Sequence, residues 1–230
     1  MAKKEFKTYP REEVNSIVEI AERSKKLYGD SVAFVYKERK QRVEKTYVDL
    51  VADSKALAQI LMKQNLKKGH IALIGASSYR YIVSYYAAMY AGLVIVPLDK
   101  ELNFEDVYEQ MEKADVDFFL YDKTYKDFAE NLDEKTNGTM GKFCINDPLV
   151  SEGEDLPFPE VDPDKLSTII FTSGTTGKGK GVMLTQRNIA RNVIAGLSHA
   201  EVFRDDVSMS VLPMNHAYEC LGNLFIAVYA

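Results

Sequence analysis

The stretch IALIGASSYRYIVSYYAAMYAGLVIVPL, residues 71–98, decides the fold. Ile71 to Gly75 is a short apolar run, Tyr79 to Tyr90 has the length and spacing of a helix, and Val94 to Leu98 is a second apolar run containing Pro97. A further helix is predicted over Phe104 to Ala114, followed by a third apolar run at Phe118 to Tyr121. Short apolar runs that alternate with helices are the pattern of βαβ units. Their strands are covered on both faces and need not alternate polar with apolar residues. The expected fold is α/β: an open, mostly parallel sheet with helices on both faces.

Upstream, amphipathic helices are predicted over Glu12 to Leu27 and Tyr47 to Leu66, separated by a hairpin of Val32 to Tyr36 and Gln41 to Lys45. Downstream, Asn131 to Asp164 is rich in Gly, Pro and acids and reads as mainly loop. The remaining expectations are a strand at Leu166 to Phe171, a helix at Leu184 to Leu197, a strand at Val207 to Leu212 and an apolar helix at Ala217 to Ala230. The last residues carry no helix stop signal and read as a cut, which leaves an apolar helix face in need of partners, copies of itself included.

Composition narrows the function. The 230 residues carry 34 Asp and Glu against 29 Lys and Arg, a formal net charge of −5, so there is no basic surplus for a nucleic acid or an anionic membrane. Two cysteines, Cys144 and Cys220, are too few for a disulfide framework or a metal cluster. No run approaches the roughly 18 apolar residues of a membrane span, and the N-terminal cations have no apolar segment behind them. A cytoplasmic protein is the expectation.

The chemistry is concentrated in Thr172-Ser173-Gly174-Thr175-Thr176-Gly177-Lys178-Gly179-Lys180-Gly181, directly after the predicted strand ending at Phe171. Four glycines and four hydroxyl residues in ten positions let a backbone approach a polyanion with N–H and O–H donors, and two ammonium groups stand beside them. The alternative is an ordinary surface turn, which the same residue types also build. Gly174 to Lys180 also satisfies most of the Walker A pattern, but Gly181 stands where that motif places the Mg²⁺-binding Ser or Thr. A P-loop phosphotransferase is thereby disfavoured. A non-catalytic module that binds phosphate or nucleotide stays open.

The whole string resembles the signature of the acyl-adenylate-forming family, the AMP-dependent synthetases and ligases, with Gly179 where the family usually has Pro. The resemblance continues through Met183-Leu184-Thr185-Gln186-Arg187-Asn188-Ile189, where Thr185 reads as a helix N-cap. It extends to Leu212-Pro213-Met214-Asn215-His216-Ala217-Tyr218-Glu219, in the form used by long-chain fatty-acid–CoA ligases. Thr46 to Leu50 and Ala87 to Leu98 are similar to the family's N-terminal scaffold. The resemblance implies that residues 1–230 are the N-terminal portion of an AMP-binding domain.

It also implies ATP, Mg²⁺ and coenzyme A as cofactors and co-substrates and a carboxylic acid as substrate. Thr172, Ser173, Gly174, Thr175, Thr176, Gly177, Lys178 and Lys180 would hold the β- and γ-phosphates. Lys180 and His216 would take part in catalysis, Lys180 at the leaving pyrophosphate and His216 beside the acyl carboxylate. The family's adenine and Mg²⁺ motif, ribose-binding Asp, hinge and C-terminal Lys have no counterpart before Ala230. These residues alone are therefore expected to be inactive and to depend on a further C-terminal portion.

Overall fold

Ile71 and Leu73 face one hydrophobic core while Ala72 and Ile74, between them, face another. This alternation organises the computed structural model, which describes residues 12–172, 179–199, 202–203 and 205–230. Helix α1 is Ile17–Tyr28, and a two-stranded antiparallel ribbon follows, β1 (Val32–Glu38) with β2 (Gln41–Thr46). Next come α2 (Tyr47–Met62), β3 (His70–Ile74), α3 (Tyr79–Tyr90), β4 (Val94–Pro97), α4 (Phe104–Lys113) and β5 (Phe118–Tyr121). The chain continues through α5 (Lys126–Thr136), β6 (Gly141–Cys144), β7 (Leu166–Thr172), β8 (Lys180–Thr185) and α6 (Gln186–His199). It ends in α7 (Ala217–Glu219), a wide π turn over Cys220–Ile226, and α8 (Ala227–Tyr229).

The large sheet has the order β6-β5-β3-β4-β7-β8, parallel throughout except for β8, which runs antiparallel to β7. Helices α1, α2, α3, α6 and the C-terminal helical segment cover one face, and α4 and α5 cover the other. This is the expected α/β architecture. Helix α3 lies between the sheet and the outer helices, and all its residues but Arg80 are buried. Tyr85 and Tyr86 both meet the edge of Phe225, with ring centroids 5.4 and 5.9 Å apart. A helix apolar all round is what such a central position demands.

Helix starts are set by short polar side chains. Ser16 Oγ accepts from Glu19 N at 3.0 Å, and Gln186 Oε1 accepts from Ile17 N and Val18 N at 3.1 and 3.4 Å. The first turn of α1 is thus satisfied partly by a residue far downstream. At α2 the cap is local and reciprocal: Asp49 N donates to Thr46 Oγ1, and Thr46 N donates to Asp49 Oδ2.

Residues 131–164 are mainly loop, as expected, but the stretch also holds the end of α5, to Thr136, and the short strand β6, which pairs in parallel with β5. Four half-buried residues on a sheet edge carry too little apolar periodicity to show in the sequence. Two other expectations need correction. No strand forms over Val207–Leu212. Val207, Met209 and Val211 are 96%, 77% and 69% exposed, and a strand needs a neighbour for its backbone groups. Leu184 and Thr185 belong to β8, so the following helix begins at Gln186.

The Thr46 cap supplies a direct test. Thr46→Ala removes the acceptor for Asp49 N and is expected to lower stability by about 1 kcal/mol in urea unfolding. Its backbone N–H is the first cause that holds the Asp49 carboxyl below the usual carboxylate range. That contribution is therefore present above the usual range and is lost as pH falls through the lowered pKa.

Candidate phosphate site at the carboxyl edge of the sheet

Thr172 ends β7 and Lys180 begins β8, and the two are ladder partners. Phe171 pairs with Gly181 in the rung below, and Thr172 Oγ1 donates to Lys180 O at 3.4 Å. Both Thr172 and Lys180 are exposed. Ser173, Gly174, Thr175, Thr176, Gly177 and Lys178 lie outside the described residues. The two strand ends on either side of them converge at the carboxyl edge of the sheet, where open α/β folds place their ligands. The element after Lys180 is a strand, not the helix whose N-terminus would cradle phosphates in a P-loop, so the P-loop phosphotransferase is not favoured.

The two described glycines of the motif differ. A Cβ on Gly179 would meet its nearest atoms at 3.5 Å, ordinary contact, and its φ lies outside the left-handed region. A Cβ on Gly181 would stand 2.9 Å from Ile169 Cγ2, a β-branched side chain with little room to turn. Gly181 is fixed by this packing.

Beyond β8 the chain is tied down firmly. Thr185 caps α6 as expected: Asn188 N donates to Thr185 Oγ1 at 3.1 Å, and Thr185 N donates to Asn188 Oδ1 at 3.0 Å. Arg187 forks onto both carboxylate oxygens of Asp164 at 2.6 and 2.9 Å and also donates to Asn15 Oδ1. The base of β7 is tied to α3 through Thr168 Oγ1 and Tyr85 Oη, 3.0 Å apart.

His216 is the N-cap residue of α7 and is exposed, and its imidazole makes no hydrogen bond to a described residue. Its turn is nonetheless held. Ser77 Oγ accepts from Met214 N and donates to Leu212 O, both at 3.1 Å. Ser77 follows β3, so the residues before His216 are fastened at the same carboxyl edge as Thr172. Glu219 is buried and accepts from Ser210 Oγ at 2.5 Å. Ser77 and Tyr85 escaped the sequence reading, since neither residue carries a local signature and their partners are at least 83 residues away.

One turn beyond His216, Cys220 is buried beside Tyr85, and burial pushes its thiol up to about 12. Burial is also the first cause that raises Tyr81, Tyr85 and Tyr86, with Cys220 beside them the second. No group of three or more His, Cys, Asp or Glu among the described residues could hold a metal ion. No helix among them is long and apolar enough to cross a membrane.

Fold and site together define an α/β protein whose glycine- and threonine-rich segment is flanked by two paired strands that meet at the carboxyl edge of a mostly parallel sheet. Residues 21–230 match the model of the AMP-binding enzyme family, and the chain belongs to that family. It is 27% identical to the mitochondrial malonate–CoA ligase of Homo sapiens, over 88% of this chain and 36% of that protein. It is 29% identical to long-chain-fatty-acid–CoA ligase 5 of Rattus norvegicus, over 66% of this chain and 26% of that protein. The O-succinylbenzoate–CoA synthetase of Bacillus subtilis, solved with ATP and a magnesium ion, has the same fold. It superposes with a TM-score of 0.75 at 20% identity and covers 91% of this chain and 55% of that one. The chain thus spans about half the length of that solved structure and about a third or less of the two curated relatives.

Two outcomes follow from the packing. Gly179→Ala is expected to leave stability unchanged or raise it by up to ~1 kcal/mol, whereas Gly181→Ala should cost about 1–3 kcal/mol, both read by urea unfolding. At pH 8 a thiol reagent should label half-buried Cys144 well ahead of Cys220, because a thiol raised to about 12 holds almost no thiolate there; equal rates in the folded chain would contradict the burial of Cys220.

Proposed function

We propose that this chain is the N-terminal portion of the adenylation domain of an ATP-dependent acid–thiol ligase, acting on a long-chain fatty acid with coenzyme A as the thiol. The observation that carries the proposal is the pairing of Thr172 with Lys180 at the mouth of the loop, on the sheet edge where Ser77 also fastens the His216 turn. In the first step a carboxylate oxygen attacks the α-phosphorus of ATP, and the bond to the departing pyrophosphate breaks. In the second, the thiol sulfur attacks the acyl carbon, and AMP leaves with the bonding electrons.

The chain's own residues serve the first step. Thr172, Ser173, Thr175 and Thr176 supply hydroxyl donors to the β- and γ-phosphates, and Gly174 and Gly177 allow close backbone approach. Lys178 and Lys180 offset the charge that builds on the leaving pyrophosphate. His216 stands at the exposed start of α7, where a polar imidazole can orient the acyl carboxylate. Mg²⁺ would enter with the triphosphate, as it commonly does in nucleotide sites. The long-chain reading rests on the form of Leu212 to Glu219 and on the likeness to a long-chain ligase; the likeness to a malonate ligase leaves acid length to the assay.

The assay is pyrophosphate release with ATP, Mg²⁺ and a panel of carboxylic acids, run on the full natural polypeptide that carries this chain and on residues 1–230. Release from the full polypeptide with long-chain acids, and none from residues 1–230, is expected. Silence across the panel from the full polypeptide would remove the ligase reading. In the same assay Lys180→Ala should lower kcat for adenylation far more than it raises KM for the acid, and equal changes in the two would contradict a role at the leaving group.

A further inference from the structure

The backbone of His216 is held at both ends. Its N–H donates to Pro213 O at 3.0 Å, which closes a turn over residues 213–216, and its carbonyl accepts from Cys220 N at 2.9 Å. The imidazole has no hydrogen bond to a described residue, so where the ring stands depends on where this turn stands. Pro213 has no N–H, and no backbone ladder can take hold at that residue. The turn is tied to the body of the fold by the Met214 side chain, which is buried in the core, and by the hydroxyl of Ser77. Ser77 Oγ accepts from Met214 N and donates to Leu212 O, both at 3.1 Å, and so joins the residues on either side of Pro213. A hydroxyl can do this because it gives and takes a hydrogen bond through one atom. Ser77 is itself set on rigid parts. It stands three residues beyond β3, a strand with neighbours on both sides, and directly before Ser78, which caps α3 by accepting from Tyr81 N at 3.2 Å.

We propose that Ser77 is a positioning residue of the adenylation step, whose hydroxyl fixes the turn over residues 213–216 against the carboxyl end of β3 so that the His216 imidazole meets the acyl carboxylate. This rests on the ligase reading above and adds to it a residue far upstream of the motifs that carry the chemistry. A small displacement of a group that orients a reacting atom lowers the rate even when the fold is intact. Ser77 is exposed, so water can enter in place of its hydroxyl, and its loss falls on geometry more than on stability.

The test is acid-dependent pyrophosphate exchange by the full natural polypeptide. Ser77→Ala should lower kcat/KM for the acid about three- to tenfold, the size expected of one hydrogen bond, with KM for ATP unchanged and the melting temperature little altered. Ser77→Thr, which keeps the hydroxyl, should restore the parent value. In a His216→Ala background Ser77→Ala should cost nothing further, because no imidazole is left to position. A Ser77→Ala enzyme equal to its parent would overturn the proposal. So would a further loss of the same size in the His216→Ala background, or a rise in KM for ATP together with a lower melting temperature, since either makes the serine a general support of the fold. A His216→Ala enzyme as active as its parent would remove the role given to that imidazole and the proposal with it. A parent polypeptide that catalyses no exchange with any acid would overturn the ligase reading itself, an outcome distinct from a parent that works and a variant that matches it.

Discussion

Parallel strands cannot present one face to water in this molecule, because the crossover helices that join them must lie on the sheet's faces. Burial of both faces is the constraint from which the rest descends. It makes β3, β4 and β5 apolar at nearly every position, and it sends alternate side chains into two separate cores. It also forces α3 to be apolar on all sides, since the sheet lies beneath it and other helices lie over it. With both faces occupied, the edge at the strand carboxyl ends is where loops can gather, and the two strand ends that flank the glycine-rich segment meet there.

How much of this was legible depended on whether the signal was local. The βαβ core shows plainly in residues 71–98, and the observed bounds of α3 and β5 are those the spacing predicts. The start of α6 is also local, because Thr185 and Asn188 cap one another within a single turn. What escaped was set by distant neighbours. β6 exists because β5 offers an edge, and its own four residues say little. Val207–Leu212 shows the reverse case, a strand-like alternation with no strand beside it.

The site divides the same way. The motif proposed to carry its chemistry runs without a break from Thr172 to Gly181, so it can be read directly from the sequence. The groups that fasten the strands around it and the His216 turn are scattered: Ser77 behind β3 holds the turn before His216, Tyr85 in α3 meets β7, and Arg187 in α6 meets Asp164 just before β7. No motif marks them, since any hydroxyl or guanidinium of suitable reach could do their work. Gly181 lies between the two classes. It is visible as a missing Ser or Thr in the sequence, yet the reason for it, the Ile169 side chain behind it, appears only in three dimensions.

The carboxamide of Gln186 over the first turn of α1 joins residues 169 positions apart. During synthesis α1 therefore leaves the ribosome with two backbone donors that no residue near it in the chain satisfies, and it waits until Gln186 has been made. Its partner arrives only once β7 and β8 have been translated. Helix α1 therefore completes its hydrogen bonding later than the elements that lie between it and Gln186, although it precedes them all in the chain.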